Sequence, residues 1–398
     1  MLIFTPLLTR IYTPEAFGLY AVFFSALTIV AIFGSGRFEH AIVLPETREE
    51  AFVIVDIILA LSFFVGLLLS CLIAFVYLLG IQGFINDFVQ LDSNIFYFPI
   101  LIVVSALNSG LTYLLLRDKQ YLQSSIVVIV QAVVTVAVSV LAGYLQLRTN
   151  GLILGLIIGS SCSSGVLFYF TDYFKRQYFF DFKQMRQKIT FYKNFPKYLL
   201  VSDFATASSQ HLAPIVLTSF FSSFLVGNFS MAVRILRIPV LIVSNSMSAV
   251  FRNNFADDYR SSKELNGKFV KYLSRLSAYG VIFFSIFFFA SPYLFEFVLG
   301  NQWSTSGKMA QALSVMVFFE FLSIPFTSIY HLLNKQDALM KFQLANVLFS
   351  LFMFILLGGS GFGFSIVLSA YICVNVLFNT IGLWYLYRLT QKMKLVQV

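Results

Sequence analysis

Two arginines, Arg234 and Arg237, stand near the middle of the almost wholly apolar stretch Leu225–Val250, with Pro239 just beyond them. The stretch is long enough to cross a bilayer, where charge is costly. A separation of three residues sets the two about 60° apart on one helical face, so both can look into one internal cavity. Guanidinium groups arranged in this way make a site for an anion. The competing assignment is structural, with one or both arginines snorkelling to an interface or pairing with a neighbouring helix.

Four more ionisable residues fall inside apolar stretches: Asp56, Asp203, His211 and Glu320. At 1.5 Å per helical residue, His211, Arg237 and Glu320 each lie roughly 17 to 20 Å along their spans, close to the membrane midplane. Asp203 enters only about 6 to 8 Å. Pro214, Pro239 and Pro325 follow the three deep groups closely. Proline frees backbone carbonyls that only a protein or water-lined interior can satisfy. A hydrogen-bonded packing histidine and a protonated, neutral glutamic acid are the plainer alternatives for His211 and Glu320. Asp56 sits near an interface where Lys or Arg can pair with it, and a structural role is expected there.

Other chemistries lack their residues. Cys71, Cys162 and Cys373 stand singly in apolar runs, without metal or redox spacing, so no metal site is expected. The run Gly358-Gly-Ser-Gly-Phe-Gly363 lacks the Lys-Ser/Thr ending of a phosphate loop, so neither a nucleotide nor another cofactor is expected. There is no nucleophile elbow, and Asp257-Asp258 is an adjacent pair in a basic loop; no catalytic residue is assigned. Gly151, Gly155 and Gly159, followed by Ser163, recur every four residues as a small-residue stripe for helix packing.

The elements that must position these groups follow from composition. Of 398 residues, 59% are hydrophobic and 11% charged, and the mean hydropathy is +0.84. A soluble domain carries about a quarter charged residues, so this is an all-α, multi-pass membrane protein. The net charge of +9 reflects loop placement, not nucleic-acid binding. Polar joints separate twelve expected spans, near 2–9, 17–35, 52–79, 95–116, 126–145, 152–170, 198–220, 226–250, 269–294, 309–333, 342–357 and 364–387. The first is too short for a bilayer, and its helix is expected to lack roughly its first 12 to 15 residues, through a mis-called start or a truncated gene. Met1–Thr9 has no basic n-region and does not read as a signal peptide.

With the N-terminus in the cytoplasm, 22 of the 27 basic residues fall inside, against Arg10, Arg148 and Lys308 outside and Arg234 and Arg237 within a span. Both termini are then cytoplasmic, and the external loops, including Gly80–Asn94 with Asp87 and Asp92, are short. The basic interval 172–197 divides an N-terminal lobe, 1–171, from a C-terminal lobe, 198–398. It needs no role beyond linking the lobes and touching anionic headgroups. Pro6–Thr9 followed by Phe17–Tyr20 echoes Pro214–Thr218 followed by Val226–Phe229, so the halves read as parallel repeats. Two such bundles side by side imply a central cavity.

Two opening stretches, PLLTRIYTPEAFGLY from Pro6 to Tyr20 and GRFEHAIVLP from Gly36 to Pro45, resemble hallmarks of the Wzx-type polysaccharide flippases. These belong to the multidrug/oligosaccharidyl-lipid/polysaccharide exporter superfamily. Further similar stretches are Phe195–Tyr198, Ala232–Pro239, Val250–Arg252, and Leu299–Trp303 with Ala310–Leu313. The resemblance implies two six-helix lobes around a V-shaped cavity in the inner membrane. It implies transfer of undecaprenyl-diphosphate-linked oligosaccharide from the inner to the outer leaflet by alternating access, and with no nucleotide site in the sequence an ion gradient is the expected drive. A polysaccharide polymerase and a chain-length regulator would be its partners. Arg234, Arg237 and Arg10 are then the expected diphosphate contacts, and Glu320, His211 and Asp203 the expected ion-coupling groups. A drug/cation antiporter of the same fold would want an acidic cavity without two arginines; a membrane polysaccharide polymerase would want a large external loop.

Overall fold

A computed structural model describes residues 4–79, 92–175, 180–260, 265–333 and 335–395. Among them the ordered elements are helical, as a chain in lipid requires, since each helix satisfies its own backbone donors and acceptors. The helices are α1 Thr5–Ile11, α2 Pro14–Ser35, α3 Arg48–Leu78, α4 Phe98–Arg117, α5 Tyr121–Tyr144, α6 Arg148–Thr171 and α7 Phe182–Phe191. They continue as α8 Leu200–Thr218, α9 Ser223–Arg260, α10 Leu265–Leu299, α11 Ser304–Ser323, α12 Thr327–Leu332, α13 Gln336–Met353 and α14 Phe364–Leu395. Ten helices among the described residues are long and apolar enough to span a membrane. Two of the twelve expected spans fall short of that criterion. Helix α1 has only 7 residues, and α8, with 19, carries Asp203, Gln210, His211 and several Ser and Thr residues that lower its hydropathy. Of the expected external loop Gly80–Asn94, residues 80–91 lie outside the described residues, as do the side chains of Asp257 and Asp258.

Helix ends follow local chemistry. Thr13 caps α2 by accepting from the Ala16 amide, with Pro14 at the first helical position and Glu15 in the first turn. Thr47 caps α3 in the same way, with Glu49 and Glu50 favouring its positive end. Helix α2 stops at two successive left-handed residues, Gly36 at φ 56° and Arg37 at φ 61°. That conformation costs a side-chain-bearing residue roughly 1 to 2 kcal/mol, so Arg37 must be held by its partners.

The chain forms two compact units, Met1–Ser219 and Phe220–Val398. This division differs from the expected lobe boundary because α8, at the start of the second half of the sequence, packs along α2. Phe33 and Phe204 meet at 5.5 Å and Phe24 and His211 at 6.1 Å, both edge to face. In the first unit the core includes Ile42, Ile54, Ile58, Leu111, Leu114 and Leu115. Helices α5 and α6 meet closely over the glycine stripe. A Cβ at Gly155 would stand 2.7 Å from the Thr135 carbonyl oxygen, and one at Gly159 3.0 Å from that of Gln131. Tyr12 ties α1 to this pair by donating to the Ser139 carbonyl at 2.6 Å. In the second unit α11 is central, packing against α9, α10 and α14. Its N-terminal end is seated by fully buried Trp303 and by Ser306, which donates to Asn228 Oδ1 at 2.7 Å.

Candidate functional site

The second unit brings Arg237 of α9 and Glu320 of α11 together. Arg237 Nε donates to Glu320 Oε2 at 2.9 Å and Nη2 to Oε1 at 2.7 Å, a two-pronged pair between residues 83 positions apart. The side chains are 22% and 11% exposed. A planar guanidinium fork fits a carboxylate in this way because both bonds are charge-assisted and parallel. Pairing also offsets the cost of placing either charge in an apolar span. Arg234, one turn earlier on α9, is half-buried. Tyr371 of α14 lies within electrostatic reach of both members of the pair, its buried ring packed on Phe229 and Phe354.

A belt of neutral polar groups lies on the neighbouring helices of this unit. Ser323 donates to the Glu320 carbonyl and to Asn379 Oδ1, and Asn346 donates to Asn375 Oδ1. Ser350 in turn donates to Asn346. These amides can both donate and accept, so they satisfy one another within the apolar spans. Sequence reasoning passed over them. Their spacing, Tyr371, Asn375 and Asn379 at four-residue intervals on α14, is the signal that could have marked them.

The other sequence-derived candidates lie in the first unit. Asp203 pairs with Arg37, Oδ2 to Nε at 2.8 Å, while Arg37 Nη1 holds Glu39 Oε1 at 3.1 Å. Glu39 is only 1% exposed, so Arg37 neutralises a buried carboxylate as well as a half-buried one. Beside it Tyr113 and His40 share a hydrogen bond of 3.2 Å. Arg37 and Glu39 stand inside the stretch Gly36–Pro45, which carried a resemblance but no assigned role. His211 packs against the Phe24 ring. Arg10 is exposed in the last turn of α1. Asp56 accepts from the Tyr173 hydroxyl at 2.5 Å and from the Phe180 amide at 3.2 Å, fastening the segment after α6 to α3.

Outside the spans, Lys175 Nζ lies 2.7 Å from Asp172, holding that carboxyl below the usual carboxylate range. The Asp181 carboxyl is also lowered, first by the Gln184 amide and side chain and then by the Lys183 amide, because it caps α7. Among the described residues no group of three or more His, Cys, Asp or Glu could hold a metal ion.

A family model described as "Polysaccharide biosynthesis protein" matches residues 7–308, which takes in Arg37, Asp203, Arg234 and Arg237. The chain belongs to this polysaccharide biosynthesis family. By sequence, no curated protein matches it. Among solved structures, an inward-facing multidrug resistance MATE family transporter of the MOP superfamily has a TM-score of 0.74 at 11% identity. That similarity covers 99% of this chain and 96% of the other. Lipid II flippase MurJ, in an inward closed conformation, has a TM-score of 0.68 at 14% identity, covering 99% and 88%. A MOP superfamily transporter from Pyrococcus furiosus, reported with a binding pocket of reverse polarity, has 0.53 at 11%, covering 97% and 88%. These likenesses are of fold, and they place the family member among multi-pass helical membrane proteins of this architecture. Polysaccharide biosynthesis and the exporter fold both agree with the resemblance first drawn from Pro6–Tyr20 and Gly36–Pro45.

Proposed function

We propose that this protein flips an undecaprenyl-diphosphate-linked oligosaccharide across the inner membrane during surface polysaccharide synthesis, by alternating access and without covalent catalysis. The observation that carries the reading is the two-pronged Arg237–Glu320 pair, buried in a member of a polysaccharide biosynthesis family. A diphosphate offers the same fork-shaped acceptor as the carboxylate, with more charge, and can displace it. Arg234, on the same face, would share the second phosphate, and Arg10 would meet it elsewhere on the path. Glu320, once released, becomes a free carboxylate in an apolar span and takes up a proton more readily. Substrate binding and proton binding then favour one another, which ties the movement of the lobes to an ion gradient. His211 and Asp203 would take the ion elsewhere on its route, Asp203 by leaving Arg37. Residues 1–171 and 198–398 would be the moving lobes, with both termini in the cytoplasm, and a polymerase and chain-length regulator would use the product.

The fold likeness to a multidrug resistance transporter supports a second reading, a drug/cation antiporter. Two arginines in one span count against a cationic substrate. The test is flipping of undecaprenyl-diphosphate-linked oligosaccharide in proteoliposomes. Arg234→Ala with Arg237→Ala should abolish it at normal membrane abundance, and normal flipping in that variant sinks the diphosphate role. Glu320→Gln with His211→Ala should remove the dependence on the proton gradient; an unchanged dependence sinks the coupling role.

A further inference from the structure

Helix α7 has two faces of opposite character. At 100° per residue, Met185 and Lys188 lie on one side, and Lys183, Arg186 and Thr190 lie within about 60° of one another on the other. The first side is docked. Met185 and the following Tyr192 are 5% and 6% exposed in the first unit's core, and Lys188 Nζ pairs with Glu50 of α3 at 2.8 Å. The second side is an open surface formed by Phe182, Lys183, Arg186, Gln187, Thr190 and Phe191. Phe182 and Phe191, at opposite edges of that face, are 79% and 75% exposed.

We infer that this outer face of α7 is a binding surface for anionic phospholipid headgroups in the leaflet where α6 ends. Three observations converge on that occupant. Ten residues join the apolar span Thr149–Thr171 to α7, and the Phe180 amide beside the N-cap is bonded to Asp56 of the spanning α3, so the helix begins close to the membrane edge. Lys183 and Arg186 project from the centre of the face as two neighbouring cations with no acid among the residues that form it, and the acid that Lys183 feels is the capping Asp181 at the helix end. The two phenylalanines rim those cations as aromatic groups rim a membrane protein at headgroup level, with their rings towards the acyl boundary. Solvent alone would leave two large aromatic rings in water at both ends of a ten-residue helix. A headgroup phosphate between the cations, with its glycerol and upper chains against the rings, covers both kinds of surface at once. The docked side fixes the height and rotation of the helix, because Asp56 and Glu50 hold the flanking segment and Lys188 to α3. The inference is independent of the flippase reading, since it needs only that the chain spans a membrane.

The test places the full chain in nanodiscs of phosphatidylcholine with increasing fractions of brominated phosphatidylglycerol or brominated phosphatidylcholine. A Phe182→Trp reporter is read relative to the chain carrying only its two native tryptophans, Trp303 and Trp384. Each basic side chain near an anionic surface favours it about five-fold, so the phosphatidylglycerol should quench at a ten-fold or more lower fraction. Lys183→Gln with Arg186→Gln should erase that preference while leaving quenching by brominated phosphatidylcholine unchanged, and high salt should do the same. Both substitutions are at exposed positions, so the fold survives them. Equal quenching by the two lipids overturns the proposal, as does a preference that persists in the double variant. Protection from the quencher by undecaprenyl diphosphate, with no phosphatidylglycerol preference, would also overturn it by assigning the face to the carrier lipid.

Discussion

The Arg237–Glu320 pair makes a quantitative prediction that separates stability from function. Two unit charges about 4 Å apart attract by about 4 kcal/mol at the effective dielectric of 20 that suits protein sites. The partial exposure of the two side chains, 22% and 11%, reduces this, and a coupling of about 2 to 4 kcal/mol is expected. Glu320→Ala leaves the guanidinium without its carboxylate and should cost about 3 to 5 kcal/mol. Arg237→Lys keeps the charge but loses one of two charge-assisted bonds, worth about 1.5 to 3 kcal/mol. The double replacement Arg237→Met with Glu320→Leu fills similar volume without burying a charge. It should unfold at or above the native midpoint. The assay is reversible unfolding of the purified chain in mixed micelles of increasing dodecyl sulfate, with the native chain, Arg237→Met, Glu320→Leu and their double variant compared as a double-mutant cycle. The same four proteins are then assayed for flipping, where the apolar double variant should be stable and inactive. A coupling below about 0.5 kcal/mol, the value of a solvent-exposed pair, refutes the reasoning.

Three further outcomes follow from the geometry. Gly155→Leu and Gly159→Leu should abolish the monodisperse species on size-exclusion chromatography, because each side chain meets α5 backbone; Gly165→Ala, with nothing within 4 Å of the new Cβ, should leave it intact. The Asp181 carboxyl is lowered in the folded chain, so its capping contribution to α7 is full above the unfolded value near 3.9 and is lost as pH falls through the folded value. The protection of the Gln184 amide relative to its intrinsic exchange rate at each pH should therefore be present at neutral pH, fall under strong acid, and be absent at all pH in Asp181→Ala. In a background lacking Cys71, Cys162 and Cys373, an impermeant thiol reagent should label Ser304→Cys and spare Lys183→Cys in intact cells; labelling of the latter inverts the topology.

Much of the fold was legible in the sequence because its causes are local. A span of twenty apolar residues in lipid has one way to satisfy its backbone, so composition alone dictated an all-helical membrane protein. The glycine stripe likewise foretold a close helix contact, since only its four-residue spacing lets two backbones approach. Depth was also readable, as the rise per residue set Arg237 and Glu320 at similar levels before any contact was known. Partner choice was not readable in this way. The bond between Arg237 and Glu320 depends on α9 and α11 being neighbours and on how each is rotated, and hydropathy records neither. Asp203 looked like a candidate ion site on sequence, yet Arg37 reaches it because α8 lies along α2. The folded chain also showed two of the groups that hold Asp56, the Tyr173 hydroxyl and the Phe180 amide. A buried charge announces from its sequence position that it needs a partner, because leaving it bare is too costly; which partner it finds is decided only when the helices pack.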